Sequence, residues 1–291
     1  MSLPVDVLAR IERLELEARG VVEGYLAGRH KSPRHGFAVE FSQHREYAPG
    51  DDLRHVDWKV FGRTERYHLK QYEQETNLVA WLIVDASESM RYGSGKRNKF
   101  DTAATLAVAL AYLISNQTDS VGLATFATGP ETILKPSGSS AQVKDILRVL
   151  GGGPLPKPGA AGKALHELAG RLGRRGIVFL LSDLLDDPAD VLTGVKHLRY
   201  QKHEVIVLHV MDGAELDFPF RHPTEFRGLE QLGKLPTDPL SVRDGYLSAL
   251  GEHLKAIEEG LRLQETDYLR IRTDDDLGQT LAGYLRRRMG K

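Results

Sequence analysis

The chain of 291 residues contains no cysteine. That absence excludes disulfides, zinc–thiolate sites, iron–sulfur clusters and cysteine nucleophiles, and it fits a reducing compartment. An excess of charge of either sign is also missing: 39 Lys+Arg stand against 40 Asp+Glu, a formal net charge of −1. A balance this close argues against a dedicated nucleic-acid binder or a membrane-surface protein. Long apolar runs are absent as well, since no stretch reaches the roughly 18 uncharged residues a transmembrane helix needs. The N-terminal segment interrupts its apolar residues with Asp6, Arg10, Glu12 and Arg13, so it lacks the continuous apolar stretch of a signal peptide. The expectation is a soluble, cytoplasmic protein with no membrane insertion.

Hydrophobic residues make up 41% and charged residues 27%, enough for a sizeable core and against disorder. Val7, Leu8, Ile11, Leu14, Ala18, Val21, Val22 and Tyr25 recur at helical spacing, which predicts a helix over residues 4–27. From residue 28 to 77 Gly, His and Arg are frequent and apolar runs are short. Phe37, Val39 and Phe41 alternate as in a strand, Pro49-Gly50 marks a turn, and residues 67–72 read as a further extended piece.

A regular body begins at Leu78. Residues 78–87 are continuously apolar and β-branched up to an Asp, as in a buried parallel strand. A helix apolar on most faces follows at 100–117. Strands are predicted at 120–127, 131–137 (an edge), 176–183 and 204–211, with helices at 142–150, 163–173 and 190–200. An irregular hairpin is expected near 226–233, then a helix at 239–263, a strand at 268–273 and a closing helix at 277–289. Alternating strands and helices predict an α/β fold, a doubly wound and mostly parallel sheet of Rossmann-like type. It would occupy residues 78–291, preceded by an N-terminal extension, 1–77, comprising a helix and an irregular β-containing part. Arg286, Arg287 and Arg288 suit a helix C-terminus, where positive charge meets the macrodipole.

In open α/β sheets ligands collect at the carboxyl ends of strands. The first body strand ends in Asp85-Ala86-Ser87-Glu88-Ser89, and a later one ends in Ser182-Asp183. Asp85, Ser87, Ser89 and Asp183 are all oxygen donors, which hard cations such as Mg²⁺ require. Hydroxyls coordinate without neutralising the ion, so it would keep charge with which to attract a partner's carboxylate. The plainer alternative is that Ser87, Ser89 and Asp183 cap helices.

These four residues resemble the metal-ion-dependent adhesion site of von Willebrand factor A domains. That resemblance implies Mg²⁺ or Mn²⁺ at the strand ends and a protein ligand donating an acidic side chain. The family also supplies a loop threonine; here Gly159 stands in its place, leaving the ligand set incomplete. Upstream, Arg45-Glu46-Tyr47, Gly50-Asp51-Asp52, Arg54 and Asp57-Trp58 resemble the signature of a bacterial domain-of-unknown-function family. In that family the signature precedes a von Willebrand A-like domain, and the proteins are associated with MoxR-type AAA+ ATPases. The resemblance runs from about Leu14 to the C-terminus. It implies a non-enzymatic, chaperone-like or adaptor protein whose partner is an AAA+ ATPase or its client.

Physically, the signature is a run of alternating charges with two aromatics. It reads either as a self-satisfied ion-pair knot fastening the segment or as a recognition surface. Two further readings of the strand-end site stay open: a scaffold whose metal site is empty, and a divalent-metal-dependent phosphoryl-transfer enzyme. Against the enzyme, no histidine or lysine stands obviously ready as acid or base in the strand-end loops. Gly93-Ser94-Gly95-Lys96 lacks phosphate-loop spacing and reads as a flexible connection. His30, His35, His44, His55 and His68 show no zinc-site spacing.

Overall fold

The computed structural model describes residues 4–29, 44–46, 68–70, 78–173, 175–229 and 233–289. The chain divides into two compact units, residues 1–31 with 78–291, and residues 32–77. The helix α1 (Val5–Arg29) therefore belongs to the body and not to an extension spanning 1–77. Its apolar stripe explains this, because Leu14 and Ala18 are fully buried in the main core. Within the smaller unit, β1 (His44–Glu46) pairs antiparallel with β2 (His68–Lys70), in line with extended structure around residue 69. Arg45 and Glu46 lie on β1. Tyr47, Gly50, Asp51, Asp52, Arg54, Asp57 and Trp58 lie outside the described residues, as does the strand expected at 37–41.

The body runs β3 (Val79–Asp85), α2 (Lys99–Ser115), β4 (Ser120–Phe126), β5 (Pro130–Ser137), α3 (Ala141–Gly151), α4 (Ala161–Ala169), β6 (Ile177–Ser182), α5 (Pro188–Tyr200) and β7 (Glu204–Met211). Then come α6 (Gly213–Asp217), β8 (Thr224–Arg227), β9 (Lys234–Thr237), α7 (Pro239–Leu263), β10 (Asp267–Arg272) and α8 (Leu277–Met289). The central sheet has the order β10-β7-β6-β3-β4-β5. All its neighbours are parallel except β5, which pairs antiparallel with β4 at the edge. The expected doubly wound, mostly parallel sheet is what forms. β8 and β9 make the separate hairpin expected near 226–233. The helix expected over 163–173 stops at Ala169, where Gly170 takes the C-cap.

A sheet covered on both faces needs strands that are apolar at every position. On β3, Ala80, Leu82 and Val84 face one core together with residues of α1, α2, α3 and α8. Trp81 and Ile83 face the other, with residues of α4, α5 and α7. α2 lies in the first core with Leu14 and Ala18 of α1 as well as strand residues, so it is buried on nearly every side, and its sequence is accordingly apolar all round. Because β3 lies between β4 and β6, the chain winds away from it in both directions. The crevice at the ends of β3 and β6 is thus the topological switch point of the sheet.

Candidate functional site

β3 and β6 pair in parallel through Val84 and Leu181, so the next residues, Asp85 and Ser182, emerge side by side at the switch point. Ser182 donates its hydroxyl to Asp85 Oδ2 at 2.6 Å, and the Ser87 N–H donates to Asp85 Oδ1 at 2.9 Å. Ser87 occupies the N-cap of a short 3-10 turn, Glu88–Arg91, yet its hydroxyl makes no capping bond. It instead shares a 3.1 Å hydrogen bond with Ser89 Oγ. Asp183 does not cap the following helix either; Asp187 does, accepting from the Ala189 N–H. The capping alternatives for Ser87 and Asp183 therefore do not hold.

Asp85, Ser87, Ser89 and Asp183 line one cavity of about 40 Å³, with Ser182, Gly159 and Asp186 in the same wall. That is room for about three water-sized bodies, and far too little for a metabolite. Asp85, Ser87 and Asp183 are almost wholly buried. Burial, with the negative charge of Asp183 adding to it, pushes the Asp85 carboxyl up to about 7 despite the hydrogen bonds from Ser182 and Ser87. The four sequence-predicted residues come together, and Gly159 stands at the same cavity without a hydroxyl to offer.

Lys99 was not anticipated. Its side chain is 1% exposed, and its ammonium donates to Asp183 Oδ2 at 2.8 Å and to Glu215 Oε1 at 2.6 Å. Burial would lower its proton affinity, but the two carboxylates outweigh that and raise it. For Asp183 burial pulls upward, and Lys99 together with the Ser89 hydroxyl holds the carboxyl below its ordinary range. Lys99 thus reaches the strand ends from the first turn of α2, outside the strand-end loops in which no lysine or histidine was expected as acid or base. A lysine in the first turn of a helix opposes the macrodipole, but the two acids that hold it here lie on other elements and are not apparent from sequence spacing.

His209, from β7, lies behind the site. Its Nε2 is 2.7 Å from the Asp183 carbonyl oxygen, which can only accept, so Nε2 carries the proton. Nδ1 then accepts from the Tyr268 hydroxyl at 2.9 Å. This bond fixes the backbone at Asp183, next to Leu184 in the left-handed region at φ 48°, a conformation that costs a non-glycine residue about 1 kcal/mol. The loop expected to be a flexible connection is also fastened: Ser94 donates both its N–H and its hydroxyl to Asp212, at the end of β7.

The family described as "Protein of unknown function DUF58" matches residues 43–255. The chain belongs to that family. This DUF58 protein is 28% identical over 274 residues to an uncharacterized protein of Mycobacterium tuberculosis, covering 92% of this chain and 85% of that one. It stands in the same relation to an uncharacterized protein of Mycobacterium bovis. Similar solved structures include a conserved hypothetical protein, BatB, from Bacteroides thetaiotaomicron, with 16% identity over 74% of this chain and 100% of that one and a TM-score of 0.47. Another is an aerotolerance-related membrane protein from Bacteroides fragilis, with 16% identity, 73% and 98% coverage and a TM-score of 0.45. Among the described residues of the DUF58 chain, no helix is long and apolar enough to cross a membrane. Also among the described residues, no group of three or more His, Asp or Glu side chains could hold a metal.

Proposed function

We propose that this DUF58 protein is a non-enzymatic binding module of von Willebrand A-like type, which takes an acidic side chain of a partner protein at a cation held in the strand-end cavity. The observation that carries this reading is the convergence of Asp85, Asp183, Ser87, Ser89 and Ser182 on one small cavity. The donor set fits a hard cation, Mg²⁺ or Mn²⁺, since every polar side chain lining the cavity offers oxygen. Asp85, Ser87, Ser89 and Asp183 would hold the ion, which would supply residual positive charge for a carboxylate from outside. Asp85 is hydrogen-bonded by the uncharged Ser182 hydroxyl and Ser87 N–H, and burial next to Asp183 leaves its negative charge poorly compensated. The partner we favour is a MoxR-type AAA+ ATPase or a client of one, in the assembly or maturation of other proteins.

A second reading has its own support. Gly159 brings no hydroxyl to the wall, and Lys99 already neutralises Asp183. A scaffold whose cavity stays free of metal follows from those two features. Calorimetric titration with Mg²⁺ and Mn²⁺ separates the two. The adaptor reading expects one binding event in the wild type, its loss in Asp85→Ala, and a matching loss of partner capture from native extract. Capture that is indifferent both to chelator and to Asp85→Ala would establish the scaffold instead.

A further inference from the structure

On the face of the body remote from α1, α4 and α5 pack unusually close, because glycine stands where side chains would collide. A Cβ on Gly162 would sit 2.6 Å from the Asp190 carbonyl carbon. A Cβ on Gly194 would sit 2.8 Å from Leu165 Cβ and 3.0 Å from the Gly162 carbonyl oxygen. One turn beyond each glycine stands a histidine, His166 on α4 and His197 on α5, on the same face as the contact. Their ring centroids are 4.3 Å apart and their Nδ1 atoms 2.5 Å apart.

We propose that His166 and His197 form a binding site for a divalent transition-metal ion of the imidazole-preferring class, Zn²⁺, Ni²⁺ or Cu²⁺. Two neutral imidazoles that face each other through Nδ1 present two lone pairs to one point unless one nitrogen carries a proton. A metal ion accepts both lone pairs. With Zn–N bonds of about 2.0 Å in tetrahedral geometry, the nitrogens stand roughly 3.3 Å apart. The rings need to open by under about 1 Å from the 2.5 Å they show, which side-chain rotation supplies without moving either helix. His166 is exposed and His197 partly so, which leaves room for water to complete the coordination. The ligand chemistry is orthogonal to that of the strand-end cavity, where oxygen donors favour Mg²⁺ or Mn²⁺. The two sites are linked through the fold: α4 begins beside Gly159 and α5 just after Asp186, both of which line that cavity. A metal bridging the histidines therefore staples together the two helices that lead away from it. The site does not depend on the cavity holding a cation.

The test uses the metal-stripped full chain. Calorimetry with Zn²⁺ should show a binding event that survives Asp85→Ala and excess Mg²⁺ but is lost in His166→Gln and in His197→Gln. Electron paramagnetic resonance of the Cu²⁺-loaded protein should show coupling to two imidazole nitrogens in the wild type and to one in each single variant. Thermal unfolding of the metal-free variants, expected within a few degrees of wild type because both rings are at the surface, confirms that the comparison is between folded proteins. Zn²⁺ binding unchanged in both histidine variants, a wild type that binds no Zn²⁺, or a Cu²⁺ spectrum without paired nitrogen coupling would each overturn the proposal.

Discussion

Lys99 occupies the position where a buried ammonium serves two acids at once. Its bonds reach Asp183, 84 residues on, and Glu215, 116 residues on. Removing one partner from a buried charge group strands the others, at a typical cost of 3–5 kcal/mol. Lys99→Met should therefore destabilise the protein by about 3–5 kcal/mol in urea unfolding. It should also leave the cavity more negative, so that Mg²⁺ protects the variant more than the wild type. Equal Mg²⁺-induced shifts in midpoint for the two proteins would show that Lys99 does not compete with a cation at this place. The same residue marks where the sequence stopped being informative. Asp85, Ser87 and Ser89 were legible because they are local and sit directly after an apolar strand. Lys99 and Glu215 were not, because their meaning lies in pairing across three separate elements.

At the scale of elements, the body strands were legible for a simple reason. Strands buried on both faces are near-continuous apolar runs, broken in β7 by His209 and in β4 by Thr125, and β3 and β6 close on polar residues, Asp85 and Ser182. α7 was readable to the residue because Asp238 caps it and Pro239 starts it. What α1 packs against was not readable: a helical stripe predicts burial without naming the surface that covers it. In the structure Arg13 donates to Asp101 on α2 at 2.6 Å, a contact that sequence spacing does not reveal. Register carries a further consequence. Trp81 on β3 stands opposite Gly122 on β4, and a Cβ at Gly122 would lie 2.9 Å from the indole ring. The glycine is there to make room for the tryptophan. Gly122→Ala should cost about 1–3 kcal/mol through overpacking, measured by thermal unfolding, and should shift the tryptophan emission. A variant as stable as wild type would mean that the ring has another place to go.

For the whole molecule, a net charge of −1 leaves little global repulsion to drive a pH response near neutrality. The stability profile should instead be set by individual buried groups, and two of them at the strand ends pull in opposite directions. Burial lowers His209 to about 4, in spite of the opposing hydrogen bond to the Asp183 carbonyl and the charge of Asp183. Between about pH 4 and the ordinary histidine value near 6.5 the unfolded chain binds this proton and the fold does not, so His209 makes stability rise with pH by about 3 kcal/mol over that window. Asp85 is raised, so above the ordinary aspartate range the fold holds a proton that the unfolded chain has lost. Its contribution therefore falls as pH climbs towards 7. The slopes of these two groups should largely cancel between pH 4 and 6.5. Asp85→Asn should expose the rising limb of His209, and His209→Gln the falling limb of Asp85. Saturating Mg²⁺ should act on the wild type as Asp85→Asn does, because a cation bound there removes the reason for Asp85 to keep its proton. Denaturant unfolding across that range, with and without Mg²⁺, checks all three profiles together. A wild-type slope that neither substitution alters would mean that the two buried groups do not govern the pH response.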